Sequence, residues 1–136
     1  MDVTLLLCDH AEAINGKLYV MGGGWNILLA AGQPVNTSVA ALIAVPWDRT
    51  NQRHELRLEL VTGDGDAVEV NGQPLLMANE FELGRPPGTK PGSSLNAPFV
   101  WNVNGLVLDA GSYEWKLAID GEPAAGRAFT VAPRPA

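Results

Sequence analysis

His10 and His54 are the only imidazoles in this chain of 136 residues, so with Asp9 beside His10 they are where general-base chemistry would have to be built. Strand parity opposes it. In extended backbone adjacent side chains point to opposite faces, and Asp9 then cannot orient His10. Neither Cys8 nor a nearby serine stands in a recognisable nucleophile setting. His54 continues an apolar series with Leu56, Leu58 and Leu60, which predicts a strand-end position partly covered by the core. Asp64, Asp66 and Glu69 offer oxygens of the kind calcium prefers, yet only two aspartates fall in the turn and the twelve-residue loop spacing is missing.

Gly22-Gly23-Gly24 has the small residues that let backbone N–H groups cradle a phosphate. No helix start follows it, and the Lys-Ser/Thr of a P-loop and the dinucleotide spacing are both absent. The glycines predict instead a bulge or kink that lets a strand switch sheets or pass under Trp25. No catalytic residue, cofactor site or metal site is expected, and the chain is read as a non-enzyme.

Four tryptophans remain as potential contact residues, since aromatic faces stack on sugars and anchor protein interfaces. Trp101 and Trp115 keep period with apolar neighbours and are expected in the core. Trp47, in Pro46-Trp47-Asp48-Arg49 beside a polar turn, is the one expected at the surface. The segment Gly84 to Pro98 holds four prolines and three glycines, which exclude a helix or a central strand. It reads as a crossover between two sheets, or as a functional loop. Trp47, Asp48, Arg49, Arg85, Pro86, Pro87 and Lys90 form the candidate interaction surface.

Composition bounds the partners. With 46% hydrophobic and 18% charged residues the chain is globular, and its length suits one domain that needs no staple. A formal charge of −6 with nine scattered Lys and Arg disfavours nucleic acid and anionic membrane. Leu5-Leu6-Leu7-Cys8 is far too short an apolar run for a lipoprotein leader, and Asp2 replaces the basic start. No stretch nears the ~20 apolar residues of a membrane helix. One cysteine permits no internal disulfide, so a cytoplasmic location is expected.

The elements that must position these residues are strands. Asn15-Gly16, Asp64-Gly65, Asn71-Gly72, Asn104-Gly105 and Asp120-Gly121 punctuate the chain with residues that tolerate positive φ. Between them Val3 to Cys8, Lys17 to Met21, Trp25 to Leu29, Ser38 to Trp47, Arg53 onward, Ala67 to Val70 and Glu80 to Leu83 read as strands. Ser38 to Trp47 is apolar enough to be buried on both faces or to lie in the middle of a sheet. Phe99, Trp101 and Val103 open a final group that ends in a hairpin, with Tyr113, Trp115, Leu117 and Ile119 on one face and Phe129 and Val131 returning. Only Ala11 to Ile14 reads as a possible helical turn. The expectation is an all-β, single-domain antiparallel β-sandwich of Ig-like, Greek-key type over residues 1–131, with about eight or nine strands and a frayed tail at 132–136. Tyr113, just after the bend Leu108 to Gly111, has the placement of a tyrosine corner whose hydroxyl bonds backbone upstream.

Four words, GKLYVMGGGWN, VPWDRTNQRHELRLEL, FELGRPPGTKPG and AGSYEWKLAIDGE, occur together here. In them the chain resembles, over nearly its whole length, a family of small bacterial all-β proteins catalogued as a domain of unknown function. The resemblance implies a shared folding unit and carries no activity, ligand or catalytic residue. The functional expectation is a non-enzymatic protein-interaction or assembly module that contacts another protein or itself. The alternatives are a small-molecule or carbohydrate-binding sandwich using Trp47 or Trp25, and a structural component of a phage or secretion particle.

Overall fold

The computed structural model describes residues 1–135. Eleven strands follow one another: β1 (Asp2–Ile14), β2 (Lys17–Gly23), β3 (Ile27–Leu28), β4 (Val35–Val45), β5 (Arg53–Thr62), β6 (Glu69–Val70), β7 (Gln73–Pro74), β8 (Leu76–Glu82), β9 (Leu95–Leu106), β10 (Gly111–Ile119) and β11 (Glu122–Val131). Three of them are two residues long, which leaves eight of seven residues or more. A 3₁₀ turn at Trp47–Arg49 is the sole helical piece among the described residues. Ala11 to Ile14 is not a helical turn but the end of β1, because it is held extended against β2 in the register Ala11↔Val20 to Ile14↔Lys17.

Two sheets face each other as the alternation requires. One runs β2-β1-β4-β9, the other β3-β11-β10-β5-β8, and β6-β7 forms a separate small hairpin. Leu56, Leu58 and Leu60 on β5 lie directly opposite Ile119, Leu117 and Trp115 on β10. All six are buried, with Trp115 1% exposed. Leu5 and Leu7 of β1, Val39 and Ile43 of β4 and Trp101 of β9 meet them from the other sheet. Each large side chain so buried contributes roughly 1.5–3 kcal/mol.

β4 is buried on both faces, as its composition predicts, and the cause is a hairpin. The first half of β1 pairs with β4 while the second half leaves it to pair with β2. That projecting arm lies over the outward face of the sheet, where Cys8, Ala11 and Ala40 form a second small cluster under Leu18, Val20 and Val100. The glycine run then does switch the chain between sheets: β2 ends in the first sheet and β3 joins the second, parallel to β11. Gly22 turns with φ 62°, a conformation in which a Cβ would collide with the Asp9 carboxylate.

The two open sides of the sandwich are closed differently. On one, Arg127 Nε donates across the seam to the carbonyl of Leu5 at 2.6 Å. On the other the chain crosses from β8 to β9, and Phe81 packs on Phe99 with ring centres 4.9 Å apart while Trp101 Nε1 donates to Asn79 Oδ1 at 3.2 Å. The crossover is shorter than the Gly84 to Pro98 segment suggests. β9 starts at Leu95, and Pro98 is tolerated inside it because β9 is an edge strand with a free side for a residue that lacks an N–H. At the far end Ala132 donates to Leu28 and accepts from Ala31, so bonding continues one residue past β11. Of the expected frayed tail, Ala136 lies outside the described residues.

Candidate functional site

The two loops that carry the candidate surface residues meet at one corner. The 3₁₀ turn carries Trp47, Asp48 and Arg49, and the crossover carries Arg85, Pro86, Pro87 and Lys90. Arg85 joins them. Its guanidinium carbon lies 3.8 Å from the centre of the Trp47 ring, Nε donates to Thr50 Oγ1 at 2.7 Å and Nη2 donates to the Trp47 carbonyl at 2.7 Å. Trp47 is half-buried and one face of its indole is covered by this cation. The stacking of a pyranose on that face is blocked.

Pro86 and Lys90 act through their carbonyls. Pro86 accepts from the N–H and hydroxyl of Thr89, and Lys90 from the N–H and hydroxyl of Ser93. These two tight turns shape the loop, and the N–H of Asn51 donating to Leu83 at 2.8 Å ties its root to the 3₁₀ turn. Pro87 is exposed. The corner is built from parts that satisfy one another.

His54 stands directly behind it, and it is 2% exposed where a partly covered strand end was expected. The reason is a partner that sequence reasoning missed. Asp120, in the turn between β10 and β11, places Oδ2 2.7 Å from Nδ1 of His54 and 3.1 Å from Nη2 of Arg49, while Oδ1 accepts the Glu55 N–H at 2.9 Å. Nε2 of His54 lies 2.7 Å from the carbonyl oxygen of Arg49. Neither ring nitrogen is left free to take a proton from a substrate. The hydrogen bond from His54, then that from the Glu55 N–H, hold the Asp120 carboxyl below its ordinary range, with the charge of Arg49 adding to them. The signal was present in the words PWDRTNQRH and AIDGE, which both carry one half of this lock.

The other candidates fall apart in space. His10 sits exposed on the projecting hairpin, 3.5 Å from Glu12, in the sheet opposite His54. Among the described residues no group of three or more His, Cys, Asp and Glu is placed to hold a metal ion. Cys8 is buried, which raises its thiol pKa, with Asp9 adding to the effect. Trp25 packs half-buried against the core, edge-on to Phe129 at 5.8 Å, so its ring is committed too. Tyr113 does form the corner, its hydroxyl donating to the Asp109 carbonyl at 2.8 Å and its ring stacked on Phe129.

A second surface was not anticipated as such. β2 ends its sheet, so one side of its backbone has no strand partner among the described residues. The same strand shows Tyr19 at 51% and Met21 at 65% exposure, beside Ile14 at 46% on β1. These residues share one face of the hairpin, because Tyr19 lies opposite Glu12, Met21 opposite His10 and Lys17 opposite Ile14.

A family model for a family of unknown function, DUF6941, matches residues 3–132. The chain belongs to this family. The DUF6941 match spans both sheets, the corner around Arg85 and the β2 edge, so all three lie within the shared unit. No curated protein matches the chain. No helix among the described residues of this DUF6941 member is long and apolar enough to cross a membrane.

Proposed function

We propose that this protein is a non-enzymatic interaction module, a β-sandwich that adds a strand of another polypeptide to the open edge of β2. The observation that carries the reading is the unprotected state of that edge. Proteins defend free edges with proline, charge or a covering segment, because unpaired N–H and C=O groups template pairing. β9, at the other end of the same sheet, carries Pro98. β2 has a lysine at its start and no other charge or proline, and it exposes Tyr19 and Met21. Large apolar side chains on an open edge are what strand addition uses, backbone bonds giving affinity and side chains giving selectivity.

The corner around Trp47 supports a different role, since Arg85 bonds Thr50 and the Trp47 carbonyl while Asp120 bonds His54 and Arg49, which together tie three chain segments. It sets the ends of β5, β8 and β10 and leaves the edge as the contact surface. A single buried cysteine suits a reducing compartment, and a cytoplasmic location is part of this proposal.

The test is affinity capture from the producing cell with the parent chain and with a Tyr19→Lys, Met21→Lys variant. Both substitutions lie on exposed positions, which the fold is expected to tolerate. Proteins retained by the parent and lost by the variant support the reading; an identical set on both overturns it.

A further inference from the structure

We propose that the strand received by β2 is β2 of a second copy of this chain, paired antiparallel about a twofold axis at Tyr19. This rests on the reading of the β2 edge given above. The register follows from the hairpin. Asn15 and Gly16 have φ 52° and 73°, so a two-residue turn of the I′ kind closes it with Ile14 and Lys17 as the first bonded pair. Bonded and non-bonded pairs alternate along an antiparallel ladder. Lys17, Tyr19 and Met21 therefore spend their N–H and C=O on β1, while those of Leu18 and Val20 point to the free side.

Gly22, at φ 62°, ends the regular stretch, which then runs from Lys17 to Met21 with Tyr19 at its centre. A twofold there lets Leu18 exchange both bonds with the partner's Val20, and Val20 with the partner's Leu18. Tyr19 meets the partner's Tyr19 in the close, non-bonded type of pair, where aromatic side chains gain most from each other. Lys17 faces the partner's Met21 at each end, so no like charges are opposed although each chain carries −6. Tyr19 and Met21 of the two copies come together on the two central strands of a four-stranded ribbon, with each Lys17 beside the partner's Met21 and Glu12 flanking Tyr19 on the outer strands. An edge of five residues is a small interface, so the association is concentration-dependent.

Cysteine substitution reads this register directly. Non-bonded antiparallel partners hold their Cα atoms about 4.5 Å apart, within disulfide range. Tyr19→Cys is expected to give a disulfide-linked dimer on mild oxidation, with Lys17→Cys as a control four residues out of register that stays unlinked. Buried Cys8 does not compete. In sedimentation velocity the parent mass should rise with concentration, and Tyr19→Glu, which opposes two carboxylates, should raise the midpoint about tenfold or more. Equal linking of both cysteine variants, or of neither with a parent that is monomeric throughout, overturns the proposal. A monomeric parent that still captures another protein through Tyr19 and Met21 removes the second copy and leaves the edge reading standing.

Discussion

Asp120 reaches across from the last hairpin to His54, Oδ2 to Nδ1 at 2.7 Å, and so joins the end of β10 to the start of β5 by a side-chain bond over 66 positions of sequence. Asp120 itself sits at φ 53° in the turn, a conformation aspartate and asparagine tolerate better than other side chains. One residue thus sets the hairpin turn, satisfies a buried imidazole and caps the Glu55 N–H.

Asp120→Asn keeps the turn and one acceptor but aims an amide N–H₂ at donors. Its expected cost at neutral pH is about 1–3 kcal/mol, measured by urea unfolding. The pH dependence has a definite sign. The folded carboxyl lies below its ordinary range, so its contribution is complete above the ordinary carboxylate range and is lost as pH falls through the folded value. Parent and variant stabilities should converge on acidification, and a constant gap down to the acid limit of folding would refute the lock.

Arg85 is the second test of the corner. Arg85→Ala removes the cation over Trp47 and two hydrogen bonds, for an expected loss of about 1–3 kcal/mol. Arg85→Lys should recover little, because a point charge cannot donate to Thr50 and to the Trp47 carbonyl while lying flat on the ring. Tryptophan emission should shift in both variants. Full rescue by lysine would mean that the charge alone matters there.

Gly22→Ala examines the switch between sheets. The new Cβ meets the Asp9 carboxylate and the residue is held at positive φ, so about 1–2 kcal/mol of stability should be lost. Adding Asp9→Ala relieves the collision and leaves the backbone strain, so the double variant should recover part of the loss. No recovery would assign the whole effect to φ.

The strands, the core face and the last hairpin were legible because burial on one side of a sheet writes itself as alternation. Leu56, Leu58 and Leu60 read as inward and are inward. The length of β1 was not legible. Cys8 to Ile14 mixes Asp9, His10 and Glu12 with Ala11 and Ala13, and small residues that pack under a folded-back hairpin carry little hydrophobic signal. The seam contact from Arg127 to Leu5 spans 122 positions and rests on one guanidinium, a pairing that no local pattern specifies. The His54 and Asp120 lock failed to show for the opposite reason: each half already had a sufficient local explanation, one as a core-facing strand residue and the other as a turn former. Of the candidate surface, Arg85 meets the Trp47 turn in space, and it uses that proximity for mutual bonding.

Tyr113 offers the cleanest single-atom test. Its hydroxyl donates to the Asp109 carbonyl four residues upstream, and burial, with the Asp109 charge adding to it, raises the phenol pKa. Tyr113→Phe deletes one oxygen and keeps the ring on Phe129, so the exposed Asp109 carbonyl loses its protein partner while the packing stays. The cost should be about 1 kcal/mol, or roughly 3–5 °C in melting temperature. Association through β2 lies elsewhere in the molecule and should be unchanged, which separates a stability residue from a contact residue. A melting temperature equal to that of the parent would show that water replaces the hydroxyl at no cost, and that the bend from Leu108 to Gly111 holds its shape without the tyrosine.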